Sequence, residues 1–132
     1  MTRVDFYVAS DEVARVACRL AEKAWKLGHK VYVHASDPTE AQRLDELMWT
    51  FRDVAFVPHS LSDDAPVRIG HAAPPDGFDD LLLNLADEVP AFFSKFERVA
   101  EIVGGDDAAK ANARERFRFY RDRGYELETH QV

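Results

Sequence analysis

Apolar residues in this chain alternate between short continuous runs and longer stretches of helical period, beginning at the N-terminus. Val4-Asp5-Phe6-Tyr7-Val8 is an apolar, β-rich run of strand length. Ser10 and Asp11 supply a helix N-cap signal, and Val13, Val16, Ala17, Leu20, Ala24 and Leu27 then recur at helical spacing until Gly28 stops the pattern. Lys30-Val31-Tyr32-Val33-His34 is a second short strand. Ser36-Asp37-Pro38 sets a cap before a first-turn proline and opens a helix through Leu44, Leu47 and Met48. This strand–helix–strand–helix order predicts a parallel sheet with helices packed on it.

The pattern loosens in the middle. Phe51 to Leu61 mixes aromatic and apolar residues with Pro58 and His59, and Ser62-Asp63-Asp64-Ala65-Pro66 reads as a loop. Val67-Arg68-Ile69-Gly70-His71 alternates like an edge or mixed strand, and Pro74-Pro75-Asp76-Gly77 marks a turn. Leu81-Leu82-Leu83-Asn84-Leu85 reads as a buried central strand. Phe92-Phe93 lies in a short connecting element, and Arg98 to Val103 is a further strand. After Gly104-Gly105, Asp106 and Asp107 open a last helix that runs to about Arg123 and ends at Gly124; acids at its start and bases later suit the helix dipole. With no repeat and no linker, the expectation is one α/β domain over residues 1–132. Its sheet is mostly parallel with helices on both faces, a Rossmann-like layout.

Composition leaves that expectation intact. The chain has 132 residues, 46% hydrophobic and 31% charged, which excludes disorder and low complexity. No apolar run reaches the roughly 18 residues of a membrane span. The first residues run straight into the strand pattern without the apolar core of a signal peptide. A single cysteine, Cys18, makes no internal disulfide, so the expected compartment is the cytoplasm.

Charge changes the picture more. The net charge of −7 argues against general nucleic-acid binding. Yet Lys110 to Arg123 holds six basic residues (Lys110, Arg114, Arg116, Arg118, Arg121, Arg123) against two acids, and the rest of the chain holds 11 basic and 22 acidic. A positive segment on an acidic molecule asks either for a partner or for a solvated helix face.

Catalytic signatures are missing where they would be expected. The turn after the first strand, Ala9-Ser10-Asp11-Glu12-Val13, has no glycine, and its acids would repel a pyrophosphate. No phosphate-cradling loop occurs. The histidines (His29, His34, His59, His71, His130) lack zinc-ligand spacing, so no metal or cofactor is expected. Cys18 sits among apolar neighbours as an inert thiol. Asp63-Asp64 and Asp79-Asp80 read as solvated loop acids rather than metal ligands. Nothing assembles into a reaction, so the chain is read as a non-enzyme.

Two constellations remain. Lys110, Arg114, Phe117 and Arg121 recur at spacings of four, three and four, one stripe along the last helix. Two readings fit it: a receptor for a peptide with carboxylates and one apolar side chain, or a core phenylalanine with cations lying over it. The second constellation is Leu47-Met48-Trp49-Thr50-Phe51 with Phe56-Val57-Pro58-His59, which reads as a docking patch or as packing beneath a loop; Trp49 and Phe51 are the residues expected to be partly exposed.

At these places the sequence resembles the chi subunit family of bacterial DNA polymerase III. The shared motifs are Arg43-Leu44-Asp45-Glu46-Leu47-Met48-Trp49, Phe56-Val57-Pro58-His59, Ala113-Arg114-Glu115-Arg116-Phe117-Arg118-Phe119-Tyr120 and Gly124-Tyr125, with Phe6-Tyr7 in the first strand. The resemblance implies a nucleotide-binding-like fold without nucleotide chemistry, and a role as a non-catalytic accessory subunit of the replicative polymerase. It also implies two partners. One is the psi subunit, which ties chi to the clamp loader; the candidate surface for it is Trp49, Phe51, Phe56, Val57, Pro58 and His59. The other is single-stranded-DNA-binding protein, whose acidic C-terminal tail ends in Pro-Phe. Lys110 and Arg114 match basic residues that engage that tail, Phe117 stands where the family has a tyrosine, and Arg121 completes the stripe. Strong direct nucleic-acid binding and membrane association are not implied. The rival reading is a small nucleotide-binding or nucleotide-processing enzyme on the same layout.

Overall fold

The computed structural model describes residues 2–10, 12–50, 58–61 and 65–132. The apolar runs become strands and the amphipathic stretches helices: β1 Arg3–Val8, α1 Val13–Lys26, β2 Val31–His34, α2 Pro38–Thr50, β3 His59–Ser60, β4 Val67–Gly70, β5 Leu81–Asn84, a 3-10 turn Phe93–Lys95, β6 Arg98–Val103, α3 Asp107–Asp122 and β7 Glu126–Gln131. Among the described residues the strands form one seven-stranded sheet, ordered β3-β4-β2-β5-β6-β1-β7, with every pair parallel. The doubly wound α/β layout is as the sequence pattern implied.

Strand alternation divides the core in two. Val31, Val33, Leu83, Ala100 and Ile102 face one way and pack with α1 and α2 through Val16, Ala21, Leu44 and Met48. Val4, Phe6, Tyr32, Leu82 and Val99 face the other way and meet Phe93, Phe96 and Tyr120. Right-handed crossovers account for this: β1 to β2 to β3 progresses toward one edge, whereas β6 to β7 steps over β1 toward the other, so α3 lies on the opposite face. Phe93 is the hub of the second core, its ring 5.2 Å from both Tyr120 and Tyr125 in edge-on contacts.

Some local signals act differently from their sequence reading, and others, at the ends of the helices, follow it. Ser10 does not cap α1; its hydroxyl donates to the Val132 carbonyl at 2.6 Å and helps tie β1 to β7. Asp37, not Ser36, caps α2, accepting from the Glu40 amide at 2.8 Å. Asp106 caps α3 by accepting from the Ala109 amide at 2.7 Å. Gly28, at φ +90°, ends α1 in the left-handed region. The Val67 strand is not at the edge: β4 lies between β3 and β2. Gly70 there leaves room for the Tyr32 hydroxyl to cross and donate to the Ala72 carbonyl. Leu27, the last apolar position of the first helical pattern, is 69% exposed.

α3 is fastened by a buried charge. Glu101 of β6 is fully buried and accepts from the Tyr120 hydroxyl at 2.7 Å and from Asn84 Nδ2 at 2.9 Å. Arg116 turns inward, Nε 3.1 Å from Glu101 Oε1, and its guanidinium also reaches the Asn112 side chain. Burial pushes the Glu101 carboxyl up, opposed by the Arg116 charge and the hydrogen bonds it receives. One of the six cations counted in the basic segment is therefore internal.

Glu101→Ala should destabilise the fold by roughly 3–5 kcal/mol in urea unfolding, because Arg116 is then buried without a counter-charge. Replacing both partners, Glu101→Leu with Arg116→Met, should recover most of that loss. A single variant unfolding at the parent midpoint would show that the pair does not hold α3.

Candidate functional site

Rotating Arg116 inward turns the neighbouring flank of α3 toward β1 and β7. Between them lies a groove of about 280 Å³, walled by Lys110, Ala113, Arg114 and Phe117 of α3 and floored by Phe6, Val8 and Val103, with Thr129 and Gln131 of β7 on the far side. Phe117 is half-buried, its ring 5.4 Å from Phe6 and inclined at 58°. The ring packs on the second core and also lines the groove. Lys110 and Arg114 are exposed and form no ion pair among the described residues.

Arg121 shares the helical stripe but is not part of the groove wall; it is exposed and lies 3.2 Å from Asp122. The other cations are engaged elsewhere. Arg118 pairs with Glu115 at 2.8 Å, and Arg123 lies over the Phe119 ring, 3.6 Å from its centroid. A patch of exposed guanidinium and ammonium groups above an aromatic floor can hold carboxylates and shelter one apolar side chain; it offers no nucleophile and no base.

The second sequence-derived surface is described in part. Trp49, at the end of α2, is 53% exposed and its ring lies 4.5 Å from that of buried His59. His59 Nε2 lies 3.1 Å from the Asp45 carbonyl oxygen, and Pro58 is half-buried. Phe51, Phe56 and Val57 fall outside the described residues.

A third cluster escaped the sequence reading. On the α1 side of the sheet, Asp5 of β1 receives Arg98 at 2.9 Å and His130 at 3.0 Å, while Arg3 bridges to Glu128 at 2.7 Å. The ligand atoms of Asp5, Glu128 and His130 lie within 4.8 Å of one another, a spacing a metal ion can use. Two guanidiniums already neutralise these carboxylates, so the chemistry of the set disfavours a cation. Charged residues at every second position of β1 and β7 were the available signal. Cys18 is fully buried and its thiol is pushed up to about 12 by desolvation, which removes it as a nucleophile. The loop after β1 carries Glu12 at the head of α1, where a nucleotide phosphate would need an open amide cradle.

Fold and groove define a small α/β domain with a cationic, aromatic-floored groove and, among the described residues, no nucleotide cradle. Residues 1–128 match the family described as DNA polymerase III chi subunit, HolC. A DNA polymerase III subunit chi from Pseudomonas aeruginosa is 50% identical over 139 aligned residues, taking in 100% of this chain and 98% of that protein. Its counterparts from Haemophilus influenzae and Escherichia coli are 34% and 32% identical, covering 96% and 89% of this chain and 95% and 84% of those proteins. The chain belongs to the DNA polymerase III chi subunit family, accessory replication subunits without catalytic activity of their own. The solved structure of T4 UvsW superposes with a TM-score of 0.68 at 8% identity, over 99% of this chain and 41% of that one, and shows the fold alone. Among the described residues no helix is long and apolar enough to cross a membrane.

The Asp5 cluster should be visible in the pH dependence of stability. Burial by itself raises the Asp5 carboxyl, but hydrogen bonds from His130 and Arg98 and the charges of Arg98 and Arg3 outweigh it and hold the group below its ordinary 3.8. Its contribution is thus complete above that ordinary value and is lost as pH falls through the lower folded value. Asp5→Asn should cost about 1–3 kcal/mol at neutral pH and flatten the acid limb of a stability–pH profile from urea unfolding. A parent-like acid limb in the variant would assign acid sensitivity to other carboxylates.

Proposed function

We propose that this subunit acts in the cytoplasm as a bridge. One surface joins the clamp loader through psi, and the α3 groove holds the acidic C-terminal tail of single-stranded-DNA-binding protein. The observation that carries the reading is the placement of Lys110 and Arg114 over the Phe6–Phe117 floor. A peptide ending in Pro-Phe needs what this groove has: an apolar recess for the ring and cations for the terminal carboxylate and the acids before it. Arg121 plays a lesser part, since it stands outside the groove wall.

Trp49 supports the psi side of the reading. A large, exposed aromatic braced against a buried histidine is the kind of rigid anchor that interfaces use. Pro58 and His59 adjoin it, and Phe51, Phe56 and Val57 complete the assignment by sequence. A single tail in so open a groove binds weakly and with salt sensitivity. Many tails on coated DNA raise the effective affinity through local concentration.

Fluorescence polarisation with a labelled acidic peptide ending in Asp-Ile-Pro-Phe tests the groove. Binding should be saturable, weaken with salt and vanish when the terminal Phe is removed. Arg114→Ala and Lys110→Ala should each weaken it about tenfold, equivalent to about 1.4 kcal/mol, whereas Arg121→Ala should change it less than about twofold, or about 0.4 kcal/mol. Unchanged affinity in Arg114→Ala would place the tail elsewhere.

A further inference from the structure

We propose that the groove between α1 and β1, on the face of the sheet opposite α3, is a second docking site, and that it takes an acidic amphipathic segment of another polymerase III subunit. Topology leaves this flank open. α1 lies over β2, β5 and β6, while β1 and the added edge strand β7 are covered by α3 on the other face only. The result is a cavity of about 260 Å³ with Leu83 and Ala100 in its floor, Tyr7 on one side and, on the other, Leu20 and Ala24 of α1 with Leu27 at its C-cap. Those three residues recur at spacings of four and three, a continuous apolar row. Leu27, the outermost, is the most exposed large apolar residue described, at 69%. Tyr7 is braced by His130, the rings stacked at 4.8 Å. A braced aromatic wall facing an apolar row that ends in an exposed leucine is a seat for apolar side chains.

Charge selects the occupant. Arg15, Lys23 and Lys26 are exposed cations on the flank beside the apolar row of a molecule of net charge −7, while Arg19 on the same flank already has a partner. Lys23 lines the groove and forms no ion pair among the described residues. Arg15 and Lys26 meet acids only at 3.9 and 3.8 Å. The occupant therefore carries carboxylates along the edge that meets α1. A nucleic acid fits poorly: Asp80 and Glu97 also line the groove and Glu128 stands on β7, so a continuous phosphate chain meets like charge. The one ring in the wall is already stacked. A protein segment, with acids on one flank and apolar side chains beneath, satisfies both rims. Because the chain is a polymerase III subunit, a neighbour in that assembly is the occupant proposed.

Biolayer interferometry of the full chain against each purified subunit of the assembly tests this, with Leu27→Asp and Lys23→Glu as variants. Both positions are exposed, so folding should be kept, as melting curves will show. One subunit should lose at least about tenfold in affinity with either variant, bind more weakly as salt rises, and be indifferent to Arg114→Ala. The tail peptide should bind Leu27→Asp as it binds the parent, so this site and the α3 groove succeed or fail separately. The proposal is overturned if no subunit distinguishes the variants from the parent. It is equally overturned if Leu27→Asp abolishes self-association in sedimentation, making a second copy the occupant, or if Lys23→Glu abolishes binding of a single-stranded oligonucleotide instead.

Discussion

A carboxylate with no access to water governs the α3 side of this molecule. Glu101 sits on a central strand, beneath a helix, where an ionised group is costly unless its partners are close and well placed. Arg116, Tyr120 and Asn84 meet that demand together. The consequence is rotational. With Arg116 and Tyr120 held inward, helical geometry puts Lys110, Arg114 and Phe117 roughly a third of a turn round, over the outer strands. Hydrophobic packing alone would tolerate a helix rolled by some degrees; a buried ion pair with directed hydrogen bonds does not. The pair's worth lies in aiming a cationic flank more than in net stability.

That aim matters because of where the last strand goes. α3 crosses β1 and delivers β7 to the far edge, so β1 becomes the next-to-last strand and serves two surfaces at once. Phe6 and Val8 floor the α3 groove, while Asp5 and Tyr7 face the open flank beside α1. α3 runs antiparallel to the strands, so Lys110 and Arg114 stand near their C-terminal ends and Arg121 near the opposite end. This explains how four residues can share one helical stripe while only three share a groove.

Much of this was legible in the residues, and what was not has physical causes. β1, β5 and β6 are mainly apolar, broken inside only by Asp5, Asn84 and Glu101, because both faces of a central parallel strand are buried, and α3 announces itself through Asp106 and Gly124. β7 gives no such signal: Glu126-Leu127-Glu128-Thr129-His130-Gln131 is an edge strand with a single aliphatic residue, held by its register with β1. β3 has two residues and, among the described residues, pairs only with β4. The helical spacing of Lys110, Arg114, Phe117 and Arg121 was readable, but the depth of each was not, since depth follows from which neighbour answers Glu101. Arg116 looks like its exposed neighbours until the partner strand is known. The Asp5 cluster joins residues 125 apart in sequence, beyond the reach of any spacing rule.

Net charge and local charge do different work in such a subunit. An acidic body close to DNA is repelled by the phosphate chain, which suppresses non-specific adherence to the template. Two short basic stripes, on α3 and α1, remain able to accept carboxylates because paired contacts act over a few ångströms while the body's repulsion is long-ranged and screened. Acidic protein segments differ from nucleic acid in one respect that bears on both proposed sites: their charges are interspersed with apolar side chains. In the proposed recognition, Phe117 over Phe6 on one face and Leu27 opposite Tyr7 on the other are the apolar half. Cations alone would not tell a peptide from a phosphate backbone; cations bordering an apolar recess can, and the doubly wound sheet provides one such border on each face.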